Sequence, residues 1–191
     1  MKKIAVMIAP GYEEGEALTI IDVLRRANFQ CDAVGLTEEY VTGGHDITIK
    51  CDKVLDDSIL NYDMIVLPGG YEGAVNLKEN DDLINILQKA NDKQLKVAAM
   101  CAAPIVLDRA GLLKGKQYTA YVGYGDKISS GEYKENIVVV DGNLITSRGP
   151  ATVYAFSYVL IDELGGDSLA VKNRMIYTNS FDDTKEDVLY V

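Results

Sequence analysis

The chain is poor in several residue types, and each shortage removes a class of function. It has one His, His45, and three Cys, at 31, 51 and 101, in 191 residues. One imidazole cannot build a His-rich metal centre. An odd, scattered set of thiols makes neither a disulfide framework nor a zinc pattern. Trp is absent, and no apolar run approaches the roughly 18 residues that mark a membrane span. Cations are scarce too: 19 Lys and Arg stand against 29 Asp and Glu, for a net charge of −10. That disfavours nucleic-acid binding, whose affinity rests on Lys and Arg at phosphates, and docking on anionic membranes. Met1-Lys2-Lys3 leads straight into Ile4–Ile8, too short a core for a secretory signal. Reduced thiols in a cytoplasmic setting are therefore expected.

What is present reads as one globular domain over 1–191, without repeats, linkers or low-complexity tracts. Hydrophobic residues make up 48% and charged residues 25%. Apolar β-rich runs at Lys3–Ile8, Gln30–Gly35, Met64–Leu67 and Val97–Met100 read as strands. Tyr118–Tyr121 and His45–Lys50 read as further strands. Ile137–Val140 and Leu144–Ser147 flank Asp141-Gly142-Asn143, a hairpin signal. Helices are expected over Glu13–Asn28, where Ala17, Ile20, Ile21, Leu24 and Ala27 share one face, over Asp81–Asn91, and from Ser147 to Leu164. Ser147 is a candidate cap for that last helix. Strands alternating with helices imply a mostly parallel sheet covered on both faces.

Three strand ends carry candidate chemistry, and ligands bind at the carboxyl ends of strands in such sheets. The first is Glu13-Glu14-Gly15-Glu16, although acidic residues in a first helical turn also simply complement the helix dipole. The second is Pro68-Gly69-Gly70, whose backbone can approach a ligand closely. It is no phosphate loop, because the Lys-Ser/Thr ending is missing. The third is Ala99-Met100-Cys101-Ala102-Ala103-Pro104, which has the small-x-nucleophile-x-small shape of a strand-to-helix elbow. Such an elbow predicts an unfavourable, positive φ at Cys101 and a thiolate favoured by the helix N-terminus. From this window alone, a buried structural Cys explains the residues equally well. Cys31 and Cys51 read as structural.

Taken together, these segments resemble the ThiJ/PfpI superfamily, in the branch of the parkinsonism-associated protein deglycase. The likeness rests on Gly11–Glu16, Asp22–Ala27, Leu67–Gly70, Ala98–Pro104 and Thr146–Pro150, in the family's order and spacing. It implies a flavodoxin-like three-layer α/β sandwich of the class I glutamine amidotransferase-like kind. It also implies a homodimer that works without metal or organic cofactor. By the same resemblance Cys101 is the reactive thiol and Glu16 the carboxylic acid that hydrogen-bonds it. Gly69, Gly70 and Ala102 are then the oxyanion hole. Tyr121 stands where many relatives carry a His, and His45 aligns with a basic loop residue that approaches the site across the dimer. Arg26 and Arg148 are further candidate contacts.

Three functions follow from that resemblance. The first is a glutathione-independent glyoxalase or deglycase acting on small aldehydes such as methylglyoxal, or on their protein adducts. The second is a non-enzymatic redox sensor working through oxidation of Cys101. The third, a PfpI-type cysteine peptidase, is weakened by Tyr121, since a phenol with pKa near 10 cannot take a proton at neutral pH as imidazole does.

Overall fold

A computed structural model describes residues 1–177, and the last part of the 1–191 span lies outside the described residues. The strands are β1 (Lys3–Ile8), β2 (Gln30–Gly35), β3 (Tyr40–Thr42), β4 (Thr48–Lys50), β5 (Lys53–Val54), β6 (Met64–Leu67), β7 (Lys96–Met100), β8 (Gln117–Tyr118), β9 (Glu132–Tyr133), β10 (Val138–Asp141) and β11 (Leu144–Ser147). The helices are α1 (Glu14–Arg26), α2 (Tyr71–Glu79), α3 (Asp81–Asp92), α4 (Pro104–Arg109), α5 (Val153–Glu163) and α6 (Ser168–Arg174).

The main sheet runs β10-β11-β7-β6-β1-β2-β5. Its pairs are parallel except the β10–β11 hairpin at one edge. In β1, every residue after Lys3 is buried. That unbroken apolar run needs cover on both faces, which the helices supply. Helices α1, α5 and α6 pack together as one group, and α2, α3 and α4 as another. Side chains such as Ile4, Met64 and Ile65 lose all solvent contact, each contributing about 1.5–3 kcal/mol. The result is the flavodoxin-like sandwich expected.

Helix α1 carries the site's carboxylate and is capped at both ends. The Glu13 side chain accepts from the Gly15 N–H, Glu14 and Glu16 fill the first turn, and Arg25 and Arg26 the last.

The structure departs from the sequence reading in three places. The strand expected over His45–Lys50 starts at Thr48 and pairs with β3 in a separate ribbon, because residues 43–46 form its turn, with Asp46 at φ 63°. The strand expected over Tyr118–Tyr121 stops at Tyr118. Beyond it the Thr119 N–H donates to Thr146 Oγ1 (2.9 Å) and the Tyr121 N–H to the Cys101 carbonyl (2.8 Å), so the chain turns onto the elbow. Helix α5 starts at Val153, not at Ser147. Ser147 stays in β11, its hydroxyl donating to the Ile137 carbonyl at 2.7 Å, and Pro150–Thr152 make a single 3-10 turn.

Candidate active site

The site forms where β1, β6 and β7 end. Leaving β7, the chain reverses at Cys101, whose φ of 59° lies in the left-handed region, as the elbow predicts. For a residue with a Cβ this costs roughly 1–2 kcal/mol. Two bonds hold the strain: the Cys101 N–H donates to the Ser147 carbonyl (3.0 Å), and the Cys101 carbonyl accepts from Tyr121. Ala102 and Ala103 are buried beside the turn.

Gly69 and Gly70 follow β6 and press against the elbow. A Cβ on Gly69 would lie 2.6 Å from Cys101 Cβ and 2.8 Å from Glu16 Oε2. Gly70 has φ +97°, and a Cβ there would meet the Gly11 carbonyl oxygen at 2.3 Å. Glycine is required at both positions.

Glu16 is completely buried. Its Oε2 accepts from the Gly69 N–H at 2.7 Å, while Oε1 has no hydrogen-bond partner among the described residues. Of the three expected oxyanion-hole groups, the Gly69 N–H is given to Glu16, and the Gly70 and Ala102 N–H groups act on the sulfur.

Burial pushes the Glu16 carboxyl up to about 7, against the pull of the Gly69 N–H and the Cys101 thiol, with Glu13 adding to the rise. Burial also raises the Cys101 thiol, and the Glu16 charge raises it further, while the Gly70 and Ala102 N–H groups lower it. The thiol acidified by a helix N-terminus is therefore not found; desolvation outweighs it. Two negative charges cannot share this space cheaply, so the carboxyl and thiol titrate as a coupled pair.

A cavity of about 290 Å³ opens over the sulfur. Glu13, Gly70, Tyr71, Ala102, Tyr121, Tyr124 and Pro150 line it with Cys101. Tyr121, half exposed, meets Tyr124 edge-on with ring centres 6.4 Å apart. Sequence reasoning missed Tyr71, Tyr124 and Pro150 as lining residues. Each adjoins a motif already singled out, Tyr71 after the Gly-Gly turn and Pro150 after Gly149, and Tyr124 lies three residues past Tyr121.

The other candidates lie elsewhere. His45, expected to act across a dimer, does not line the cavity of its own chain; its Nδ1 is 2.8 Å from Glu14 Oε2 and 3.6 Å from Glu13 Oε2. Burial raises the Glu14 carboxyl, but hydrogen bonds from the His45 ring and N–H hold it below its usual value, and the same bond raises His45. Glu13, Glu14 and His45 bring three donor atoms within 4.8 Å of one another, the one such cluster among the described residues, and these internal contacts account for it. Arg26 sits at the far end of α1, paired with Asp22 at 2.8 Å. Arg148 reaches the Glu135 carbonyl at 3.4 Å and does not line the cavity.

All three thiols are raised by burial, Cys31 to about 12 and Cys51 to about 11, so access decides their order of oxidation. Of the three, only Cys101 lines the cavity. Peptide mass spectrometry after graded peroxide should find Cys101 modified first. Oxidation beginning at Cys31 or Cys51 would contradict this assignment.

The DJ-1/PfpI family model matches residues 2–163. The chain is 36% identical to the Parkinson disease protein 7 homolog of Danio rerio, over 90% of this chain and 94% of that protein. It is 41% identical to protein DJ-1 homolog B of Arabidopsis thaliana over 86% of this chain, but spans only 38% of that longer relative. It is 31% identical to the deglycase PfpI of Pyrococcus furiosus, covering 81% of this chain and 94% of that one. Among solved structures, Drosophila melanogaster DJ-1beta superposes with a TM-score of 0.87 at 35% identity, covering 92% of this chain and 97% of that one. The oxidised form of Toxoplasma gondii DJ-1 gives 0.87 at 30%, covering 93% and 100%. A family model over most of the length, and relatives above 30% identity matched almost end to end, establish that the chain belongs to the DJ-1/PfpI family.

Proposed function

We propose that the protein is a cofactor-free glyoxalase of deglycase type. The observation that carries this is the Glu16–Cys101 pair: a buried carboxyl poised at about 7 beside a thiol at the floor of an aldehyde-accessible cavity. A group with pKa near the working pH both takes and gives protons efficiently. Glu16 takes the thiol proton as Sγ bonds to the aldehyde carbon of methylglyoxal, giving a hemithioacetal. The Gly70 and Ala102 N–H groups stabilise the developing oxyanion. Glu16 then moves the C1 proton to C2 through an enediol, which oxidises C1 and reduces C2 within one molecule and leaves a thioester. Water cleaves the thioester, releasing lactate and restoring the thiol. A methylglyoxal adduct on an amine or thiol enters the same sequence once the aldehyde is freed.

The test is lactate formation from methylglyoxal without glutathione. Many turnovers per protein are expected; none, with the reduced thiol intact, would end the reading. A second reading, redox sensing, is favoured by the partnerless Glu16 Oε1. When protonated, it can donate to an oxygen of a Cys101 sulfinate and hold that oxidation state. The peptidase reading has no such support, since the chain's single His is engaged with Glu14 away from the sulfur.

A further inference from the structure

We propose that the Cys101 pocket selects 2-oxoaldehydes whose second substituent is aromatic, and holds that ring against Tyr71, Tyr121 and Tyr124. This names the substrate class of the reaction proposed above and rests on that reading.

The cavity is larger than a three-carbon aldehyde requires. At about 290 Å³ it falls just short of the lower bound, roughly 300 Å³, of pockets that enclose drug-sized ligands. Its lining is mixed. Glu13, Gly70 and Ala102 line it with Cys101, and the Gly70 and Ala102 N–H groups act on the sulfur where a dicarbonyl must sit to react. Tyr71, Tyr121, Tyr124 and Pro150 make up the rest and offer a small hydrated aldehyde mainly apolar surface. A few polar groups at the sulfur and three tyrosine rings in one cavity match a polar reacting head joined to an aromatic tail.

Tyr124 is the preorganised part of the aromatic wall, only 8% exposed. It meets Tyr121 edge-on, at 83° between planes. The Lys127 ammonium lies 4.1 Å from the centre of the Tyr124 ring and 5.8 Å from that of Tyr71, tying the two rings through one cation. Lys127 has no ion pair among the described residues that would draw it away. A ring fixed before binding, as Tyr124 is, loses little freedom when a substrate ring arrives, so edge-to-face contact appears as selectivity.

The first measurement is kcat/KM for phenylglyoxal, read as mandelate, against methylglyoxal, read as lactate. Background from Cys101→Ala is subtracted from both. Phenylglyoxal should be favoured by at least about tenfold, the scale of discrimination an apolar pocket can supply. Tyr71→Ala and Tyr124→Ala should each bring that ratio down toward one. Tyr71 is 71% exposed, so its truncation leaves the fold intact.

The second measurement needs no turnover. Phenacyl bromide and bromoacetone both alkylate Cys101: the Sγ–C bond forms, the C–Br bond breaks, bromide departs and the thiol proton goes to solvent. Each rate is divided by the rate of the same reagent with N-acetylcysteine. The normalised preference should favour phenacyl bromide severalfold and fall in Tyr71→Ala. That pattern supports the aromatic site even if neither aldehyde is turned over, an outcome that would remove the glyoxalase reading alone. A normalised ratio at or below one, or a preference that survives both Tyr71→Ala and Tyr124→Ala, overturns the inference.

Discussion

Cys101→Ala should release no lactate from methylglyoxal. Glu16→Gln should release about 10²–10⁴-fold less than the wild type, while unfolding at a higher temperature above pH 7. The two effects share one cause. In the unfolded chain the Glu16 carboxyl titrates near 4.5, and in the folded protein at about 7. The folded state therefore binds the extra proton between those values. The stability that a neutral Glu16 confers is complete below pH 4.5 and is lost as pH rises through 7. At 1.36 kcal/mol per unit, the charged form burdens the fold by about 3 kcal/mol at pH 8. A Gln keeps an oxygen for the Gly69 N–H and never ionises. Its melting temperature should exceed the wild type's by about 6–12 °C at pH 8, given 2–4 °C per kcal/mol at this size, and by almost nothing at pH 4. Thermal unfolding at the two pH values decides. A gain of equal size at both would mean that titration of Glu16 is not its source. An amide cannot carry protons, so the same substitution is expected to gain stability and lose turnover.

Gly70→Ala should lower stability by about 2–4 kcal/mol and abolish turnover as well. The new Cβ would lie 2.3 Å from the Gly11 carbonyl oxygen, which already accepts the Gly73 N–H at 3.0 Å. That carbonyl cannot retreat without breaking the bond, and any shift of Gly70 carries its N–H away from the sulfur. Gly165→Ala is the control. Its φ of +78° is equally left-handed, but nothing lies within 4 Å of the added Cβ. It should show only the local backbone penalty, about 1 kcal/mol. Equal melting shifts for the two variants would show that the contact with Gly11 does not matter.

The central strands were legible because parallel strands buried on both faces announce themselves as unbroken apolar runs; β1, β6 and β7 fall where such runs stand. The elbow was legible because strained turns admit only small neighbours. The end of the strand at Tyr118 was not, because it depends on the Thr146 hydroxyl, a partner 27 residues distant. Nor could sequence reveal that Glu16 would take the Gly69 N–H, since the resemblance assigns that glycine a role without saying which partner arrives first. The direction of the Cys101 shift was misread for a related reason: a helix N-terminus is visible in sequence, but the depth of burial that outweighs it is not. Arg26 and His45 were nominated by motif position. Arg26 lies ten residues beyond Glu16 on one helix, about 15 Å along its axis, so a shared motif did not place it at the same end.

The strand order bears on how fast the pocket can be born. β1 lies between β2 and β6, and β6 between β1 and β7, so the sheet's centre closes only after about 60 residues of intervening chain have been ordered. Glu13 comes from the first strand–helix junction and Pro150 from the last, with Gly70, Cys101 and Tyr121 between them. Any contiguous fragment that holds the constellation must run from Glu13 to Pro150. Helix content should therefore return earlier in refolding than catalytic competence, which waits for the whole sheet from β1 to β11.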